Sequence, residues 1–176
     1  MITLEGISFK PYIEEKTLKT RIQEMGKEIT SDYTGNQLHI ISVLNGAFMF
    51  TADLVRTIQR PCNIQFIRLL SYHGTQSSGK ITEIMGLNES IRGKHVLITE
   101  DIIDTGLTID YLYKSILAHE PASLKVASLL SKPDMYRGNI KIDYLGFAIP
   151  NRFVVGYGLD LNGFGRNLPA IYQAVK

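Results

Sequence analysis

The chain has one cysteine, Cys62, among its 176 residues. A single cysteine excludes an internal disulfide framework and a cysteine-based zinc site. Beside an apparent strand, Cys62 reads as a small buried hydrophobe rather than a nucleophile. Long runs of lysine and arginine are missing too, and the formal net charge is only +2. That balance implies neither nucleic acid nor an anionic membrane surface as a partner. No apolar run approaches the ~20 residues of a membrane-spanning helix. The opening MITLEGISFKPYIEE lacks a basic segment followed by an apolar one. No secretory signal is therefore expected, and a reducing cytoplasm is the expected setting. Repeats, linkers and low-complexity segments are also absent.

What is present is ordinary for a globular protein: 44% apolar and 20% charged residues. Residues 1–176 are expected to fold as a single domain. Leu18, Ile22, Met25 and Ile29 recur at steps of four, three and four, which predicts an amphipathic helix over Glu14–Ile29. LHIISVL, Leu38–Leu44, reads as a buried strand that Asn45-Gly46-Ala47 breaks. Helical spacing follows over Phe48–Ile58 and ends before Pro61. Further strands are expected at Ile64–Tyr72, Ile81–Met85, His95–Thr99, Leu124–Leu130, Tyr144–Ala148 and Phe153–Tyr157. Helices are expected at Thr108–Ala118 and Leu168–Val175. Strands alternating with helices predict an α/β fold with a mainly parallel central sheet covered on both faces. Ligands then gather at the carboxyl ends of the strands, after Leu44, Tyr72, Thr99 and Leu130 and near Tyr157.

GTQSSGKI, Gly74–Ile81, comes close to a nucleoside-triphosphate loop. It fails at its last place, where Ile81 has no hydroxyl for magnesium, and the ITEIMG that follows is β-rich rather than helical. His73–Lys80 reads instead as a polar, glycine- and serine-rich flap of the kind that closes over a site.

VLITEDIIDTGLT, Val96–Thr108, carries the chemistry. A strand, a small-residue turn and a helix start make a phosphate cradle, because helix N-termini present unpaired N–H groups and partial positive charge. Gly106 lets backbone approach an anion, and Thr105 and Thr108 offer hydroxyl donors. Three carboxylates and no lysine need a second explanation. Against the phosphate they would repel it; one sugar-length away, Glu100 and Asp101 could accept hydrogen bonds from vicinal hydroxyls or hold magnesium. Asp104, nearer the loop, would face the reacting carbon or its incoming partner. The ligand that fits is a ribose 5-phosphate. A helix cap with solvated acids explains one carboxylate but not three. An acidic phosphoacceptor pocket would want a second acidic pair after Leu44, and there is none.

The thirteen-residue stretch resembles the 5-phosphoribosyl 1-pyrophosphate motif of type I phosphoribosyltransferases. LNGAF, RLLSYHGTQSSG, SLLSKPD and IPNRFVVGYGLDLNGFGRNLP narrow the resemblance to the hypoxanthine-guanine members of that family, across Leu44 to Pro169. The resemblance implies a central sheet with a small hood and a flexible flap. It implies magnesium-dependent transfer of a phosphoribosyl group to a purine base, by a homodimer or homotetramer. Asp104, Thr105, Gly106, Leu107 and Thr108 then match the 5′-phosphate loop, and Asp104 also the aspartate that takes or steers the proton on purine N7. Glu100 and Asp101 match the ribose-hydroxyl pair and, with Asp160, the magnesium-associated carboxylates. Lys132, Phe153, Val154 and Asp160 match the purine site: Lys132 donates to the 6-oxo group, Phe153 stacks on the base and Val154 reads the ring edge through its backbone. Leu44, Asn45 and Gly46, in a loop that often holds a non-proline cis peptide, match the pyrophosphate site together with Arg166. Ser71 and Tyr72 open the flap. Many relatives carry lysine where this chain has Asn45. Backbone N–H groups should keep pyrophosphate binding alive there, with the lost charge weakening pyrophosphate affinity or subunit coupling. A non-catalytic sensor of the activated sugar is the alternative, but it need not keep Asp104, Lys132 and Phe153.

Overall fold

The structure is a computed structural model that describes residues 1–71, 81–87 and 89–175. Tyr72 and the flap expected at 73–80 lie outside the described residues.

The central sheet grows from β3 (Leu38–Leu44), which is buried along almost its whole length. A strand can be apolar on both faces only when both are covered, and here helices cover them. Among the described residues six strands line up as β5 (Ile81–Met85), β4 (Cys62–Ser71), β3, β6 (His95–Ile103), β7 (Ser123–Ser131) and β8 (Tyr144–Ala148). All neighbours pair in parallel except β4 and β5. On one face lie α1 (Glu15–Asp32) and α2 (Phe48–Val55), packed through Leu18, Ile22, Met25 and Ile29 onto Ile40, Leu97 and Leu129. On the other lies α3 (Leu107–Leu117), whose Ile109, Leu112 and Ile116 meet Ile41, Val43, Val96 and Ile98. The expected α/β architecture and mainly parallel sheet are present.

A second, antiparallel sheet forms the hood, in the order β1 (Ile2–Leu4), β2 (Ile7–Ile13), β10 (Ile171–Ala174), β9 (Val154–Val155). It brings three corrections. The first thirteen residues carry two strands where none is expected. Leu168–Val175 is not helical: its core is β10, with Ile171 and Gln173 buried and the segment zipped to β2. Short apolar runs are ambiguous between helix and strand, and tertiary pairing decides them. Phe153–Tyr157 contributes only Val154 and Val155 as strand, because Gly156, Tyr157 and Gly158 take positive φ of 99°, 52° and 100°. Elsewhere the differences are in length. α2 stops at Val55, and β6 runs four residues past Thr99 because its pairing with β7 continues to Ile103↔Ser131. Glu100 and Asp101 therefore sit within a strand, not in the turn after it.

Candidate active site

Leu44, Ile103 and Ser131 end three adjacent parallel strands, so the loops that follow them share one edge of the sheet. An open cleft of about 100 Å³ lies there, lined by Glu100 and by the chain from Ile102 to Ile109. Gly106 caps α3 with φ of +93°, and no side chain satisfies the helix start. The first-turn N–H groups are thus left for an anion. Gly106 has a second reason to be glycine: a Cβ there would lie 2.4 Å from the Tyr136 ring. Tyr136 is fixed in turn by its hydroxyl, which donates to the Ile140 carbonyl at 2.7 Å, and the Arg137 N–H donates to the Thr105 carbonyl at 3.0 Å. The segment after β7 thereby braces the loop after β6.

Lys132 opens that segment. Its backbone N–H continues the ladder to the Ile103 carbonyl at 3.0 Å. Its side chain is not the solvated lysine that a strand end usually carries, for the residue is only 8% exposed. A buried ammonium is costly unless paired, and Nζ donates to Asp104 Oδ2 at 2.7 Å. The other oxygen, Asp104 Oδ1, is buried without a partner.

Glu100 is buried, and its Oε2 has no hydrogen-bond partner. Burial, with Asp101 next to it, pushes its carboxyl well above the ordinary range. Burial also pushes Asp101 up to about 6, against the pull of the backbone N–H groups of Ile102 and Asp101 and of Arg166. The Asp101 carboxylate lies flat on the loop after β3, where a Cβ on Gly46 would sit 1.6 Å from Oδ2. That loop contains a cis peptide bond between Leu44 and Asn45. From its other side comes Gly158, whose absent Cβ would meet the Gly46 carbonyl oxygen at 2.0 Å. Asp101, Gly46 and Gly158 therefore stack in direct contact. The strip beyond is closed by Arg166, which pairs with Asp160 at 2.7 Å and donates to the Gly158 carbonyl at 2.7 Å. Asp160 also accepts from the Gly163 N–H at 2.7 Å.

Phe153 stands half exposed just before β9, its ring centroid 6.1 Å from that of the buried Phe9. Val154 is buried and pairs with Gln173 of β10. The hood thus presents one free aromatic face beside a fixed backbone edge.

A model of the phosphoribosyl transferase domain matches residues 12–162. The chain belongs to the phosphoribosyltransferase family. Among its relatives, the hypoxanthine-guanine phosphoribosyltransferase of Aquifex aeolicus is 38% identical over 98% of both chains. That of Mycobacterium tuberculosis is 42% identical over 89% of this chain and 84% of its own. The Trypanosoma cruzi hypoxanthine phosphoribosyltransferase in complex with the product IMP superposes with a TM-score of 0.89, at 41% identity, covering 99% of this chain and 98% of that one.

As a phosphoribosyltransferase, the chain brings together the expected Asp104 and Lys132, the expected Asp101 and Gly46, and the expected Asp160 and Arg166. Ser71 ends β4, and Tyr72 is outside the described residues. Among the described residues no three acidic, histidine or cysteine side chains form a cage for a metal ion. Supports such as Phe9 and Tyr136 carry no motif. The only trace of Phe9 is its place in an alternating run that Pro11 interrupts.

The two raised carboxyls have a consequence for the phosphoribosyltransferase without ligand or divalent cation. Their folded pKa values exceed their unfolded ones, so the folded chain holds protons that the unfolded chain has released. Their contribution to stability is present at low pH and is lost as pH rises, through about 6 for Asp101 and through the raised pKa of Glu100. The double variant Glu100→Gln/Asp101→Asn is expected to melt above the wild type near neutral pH and to lose that advantage toward about pH 4, near the unfolded carboxylate pKa. A difference in melting temperature that stays constant with pH would refute this.

Proposed function

We propose that this phosphoribosyltransferase transfers the 5-phosphoribosyl group of 5-phosphoribosyl 1-pyrophosphate to N9 of hypoxanthine and guanine, giving IMP and GMP. The bond from N9 to sugar C1 forms, the bond from C1 to the pyrophosphate oxygen breaks, and the proton on purine N7 passes to Asp104. The observation that carries this reading is the pair of the buried Lys132 with Asp104, which lines the phosphate-loop cleft. A 6-oxopurine offers an acceptor at its oxo group and a donor at N7. Lys132 has donors only, and Asp104 Oδ1 is a bare acceptor.

The other roles are part of the same proposal. The backbone around Gly106, with Thr105, Leu107 and Thr108, holds the 5′-phosphate. Glu100 and Asp101 accept from the ribose hydroxyls. Phe153 stacks on the base, and Val154 and Asp160 border it. Leu44, Asn45, Gly46 and Arg166 receive pyrophosphate; the flap expected from Ser71 and Tyr72 onward, whose role would be to exclude water, lies beyond the described end of β4. Arg166 is held by Asp160, so it is already at the strip where charge builds on the leaving group. Asn45 leaves that strip short of one cation.

Magnesium fits the donor set here. Glu100 has a bare buried oxygen, and Glu100 and Asp101 carry carboxyls that are hard to ionise without a nearby cation. With no three-sided cage among the described residues, the ion would be held by Glu100, Asp101 or Asp160 and by substrate oxygens. It would supply neutralisation of pyrophosphate charge. We further read residues 1–176 as one cytoplasmic domain that assembles as a homodimer or homotetramer. No helix among the described residues is long and apolar enough to cross a membrane.

The test is a spectrophotometric assay with magnesium and 5-phosphoribosyl 1-pyrophosphate, offering hypoxanthine, guanine, xanthine and adenine separately. Turnover of hypoxanthine or guanine but not adenine is expected. No turnover, with the activated sugar still bound by calorimetry, would replace the enzyme with a sensor.

A further inference from the structure

The loop read above as the pyrophosphate site is gripped from the hood at two points, and the second point lies in neither the phosphate loop nor the base pocket. The first is the contact of Gly158 with the Gly46 carbonyl. The second is one residue earlier. Tyr157 is buried, and it takes a left-handed backbone conformation, φ 52°, that bulky residues rarely adopt. A tight turn built for glycine on both sides has a tyrosine at its centre. Its backbone N–H donates to the Leu168 carbonyl at 2.9 Å, which would be possible for any residue there. What is particular to tyrosine is the hydroxyl, which crosses to α2 and donates to Asp53 Oδ2. Asp53 lies on the helix that begins directly after the Leu44–Ala47 loop. Its other oxygen lies 4.0 Å from Arg56, whose side chain is 80% exposed.

We propose that Tyr157 is a positioning residue: its hydroxyl bond to Asp53 clamps the hood turn to α2 and so holds the Leu44–Ala47 loop in register for pyrophosphate. This rests on the reading of that loop as the pyrophosphate site. The geometry separates this role from base binding. Phe153 and Val154 are held by β10 and Phe9, on the far side of the Gly156 turn. Loss of the clamp frees Gly158 from Gly46 and Gly46 from Asp101 but leaves the aromatic face and its backbone edge in place. The effect therefore falls on the activated sugar and not on the purine.

Tyr157→Phe keeps the ring and removes the bond. Its KM for 5-phosphoribosyl 1-pyrophosphate is expected to rise about tenfold, the scale of one hydrogen bond to a charged group, with KM for hypoxanthine unchanged. Asp53→Leu should reproduce the split from the more exposed end, which keeps the test open if the tyrosine variant does not fold. Adding it to Tyr157→Phe should do no further harm. Asp53→Asn retains an acceptor oxygen and should recover most of the loss, with KM for the activated sugar close to the wild type and well below that of Asp53→Leu. A lower melting temperature with both KM values unmoved, or with both raised equally, overturns the clamp and leaves a purely structural bond. So does an Asp53→Asn variant as damaged as Asp53→Leu. Wild-type protein measured alongside separates the two failures: if it turns over hypoxanthine while the variants show no split, only the clamp is wrong. If it turns over nothing, the reaction itself is wrong and the clamp falls with it.

Discussion

Asp104→Asn is expected to lower turnover by roughly 10²- to 10⁴-fold, the usual contribution of a positioned general base, while leaving the affinity for 5-phosphoribosyl 1-pyrophosphate nearly unchanged. The separation follows from how the loop is built. In the proposed reading phosphate is held by backbone at the start of α3, where Gly106 is the cap and no side-chain hydrogen bond satisfies the helix start. The Asp104 carboxylate takes no part in that. One of its oxygens is spent on Lys132, and the other is buried and unpartnered. Asparagine has the same shape, and its amide oxygen can still accept from Lys132, so the loop should not collapse. What it lacks is basicity. It cannot take the N7 proton as N9 attacks, and a neutral amide does not steady a sugar carbon that becomes cation-like. Calorimetric titration of the activated sugar, paired with single-turnover rates, checks the prediction. Loss of binding in step with loss of rate would mean that Asp104 shapes the phosphate loop instead of serving the proton.

Why the two strands in the opening thirteen residues have no clear signal, while β3 was legible to the residue and α1 to within three residues at its end, is a matter of where the information lies. Leu38–Leu44 and the Leu18-Ile22-Met25-Ile29 stripe are local patterns, and local patterns predict local structure. β2 has such a pattern only in part. Lys10 and Pro11 interrupt it, and proline usually marks an edge strand. Yet β2 lies between β1 and β10. Pro11 is tolerated because it sits opposite Tyr172, where the register with β10 shifts and the ladder is already irregular. Nothing in either segment alone announces that partner. The site divides the same way. The phosphate loop is contiguous, so its spacing could be read from Val96 to Thr108. The Lys132–Asp104 pair is made by the parallel pairing of β6 with β7, and Phe9 reaches Phe153 only through the hood. Sequence names the residue types for such pairs. Their contact, and the burial that raises the carboxyls of Glu100 and Asp101, exists only after the chain has folded.

Lys132→Ala should erase most of the discrimination between hypoxanthine and adenine. A site built to pair a buried polar group rejects a mismatched ligand by about 10⁴-fold or more. Here the mismatch is donor against donor: the Lys132 ammonium has no lone pair to offer, and adenine presents an amino group where hypoxanthine presents oxygen. The ammonium cannot turn away to avoid the clash. It is only 8% exposed and is anchored to Asp104 at 2.7 Å. Alanine removes the clash for adenine and, for hypoxanthine, a charged hydrogen bond whose loss costs roughly 1.5–3 kcal/mol, or about 10- to 100-fold in affinity. The two bases should therefore converge from both directions: hypoxanthine weakens while adenine gains. The same substitution leaves Asp104 without its partner at Oδ2, in a cleft where Oδ1 already has none. Turnover of hypoxanthine at saturation should then change less than the ratio of kcat/KM for the two bases, because the proton acceptor remains in place. Paired kcat/KM measurements decide the matter. Unchanged rejection of adenine would assign base choice to the backbone edge at Val154 and leave Lys132 as no more than the counter-ion of Asp104.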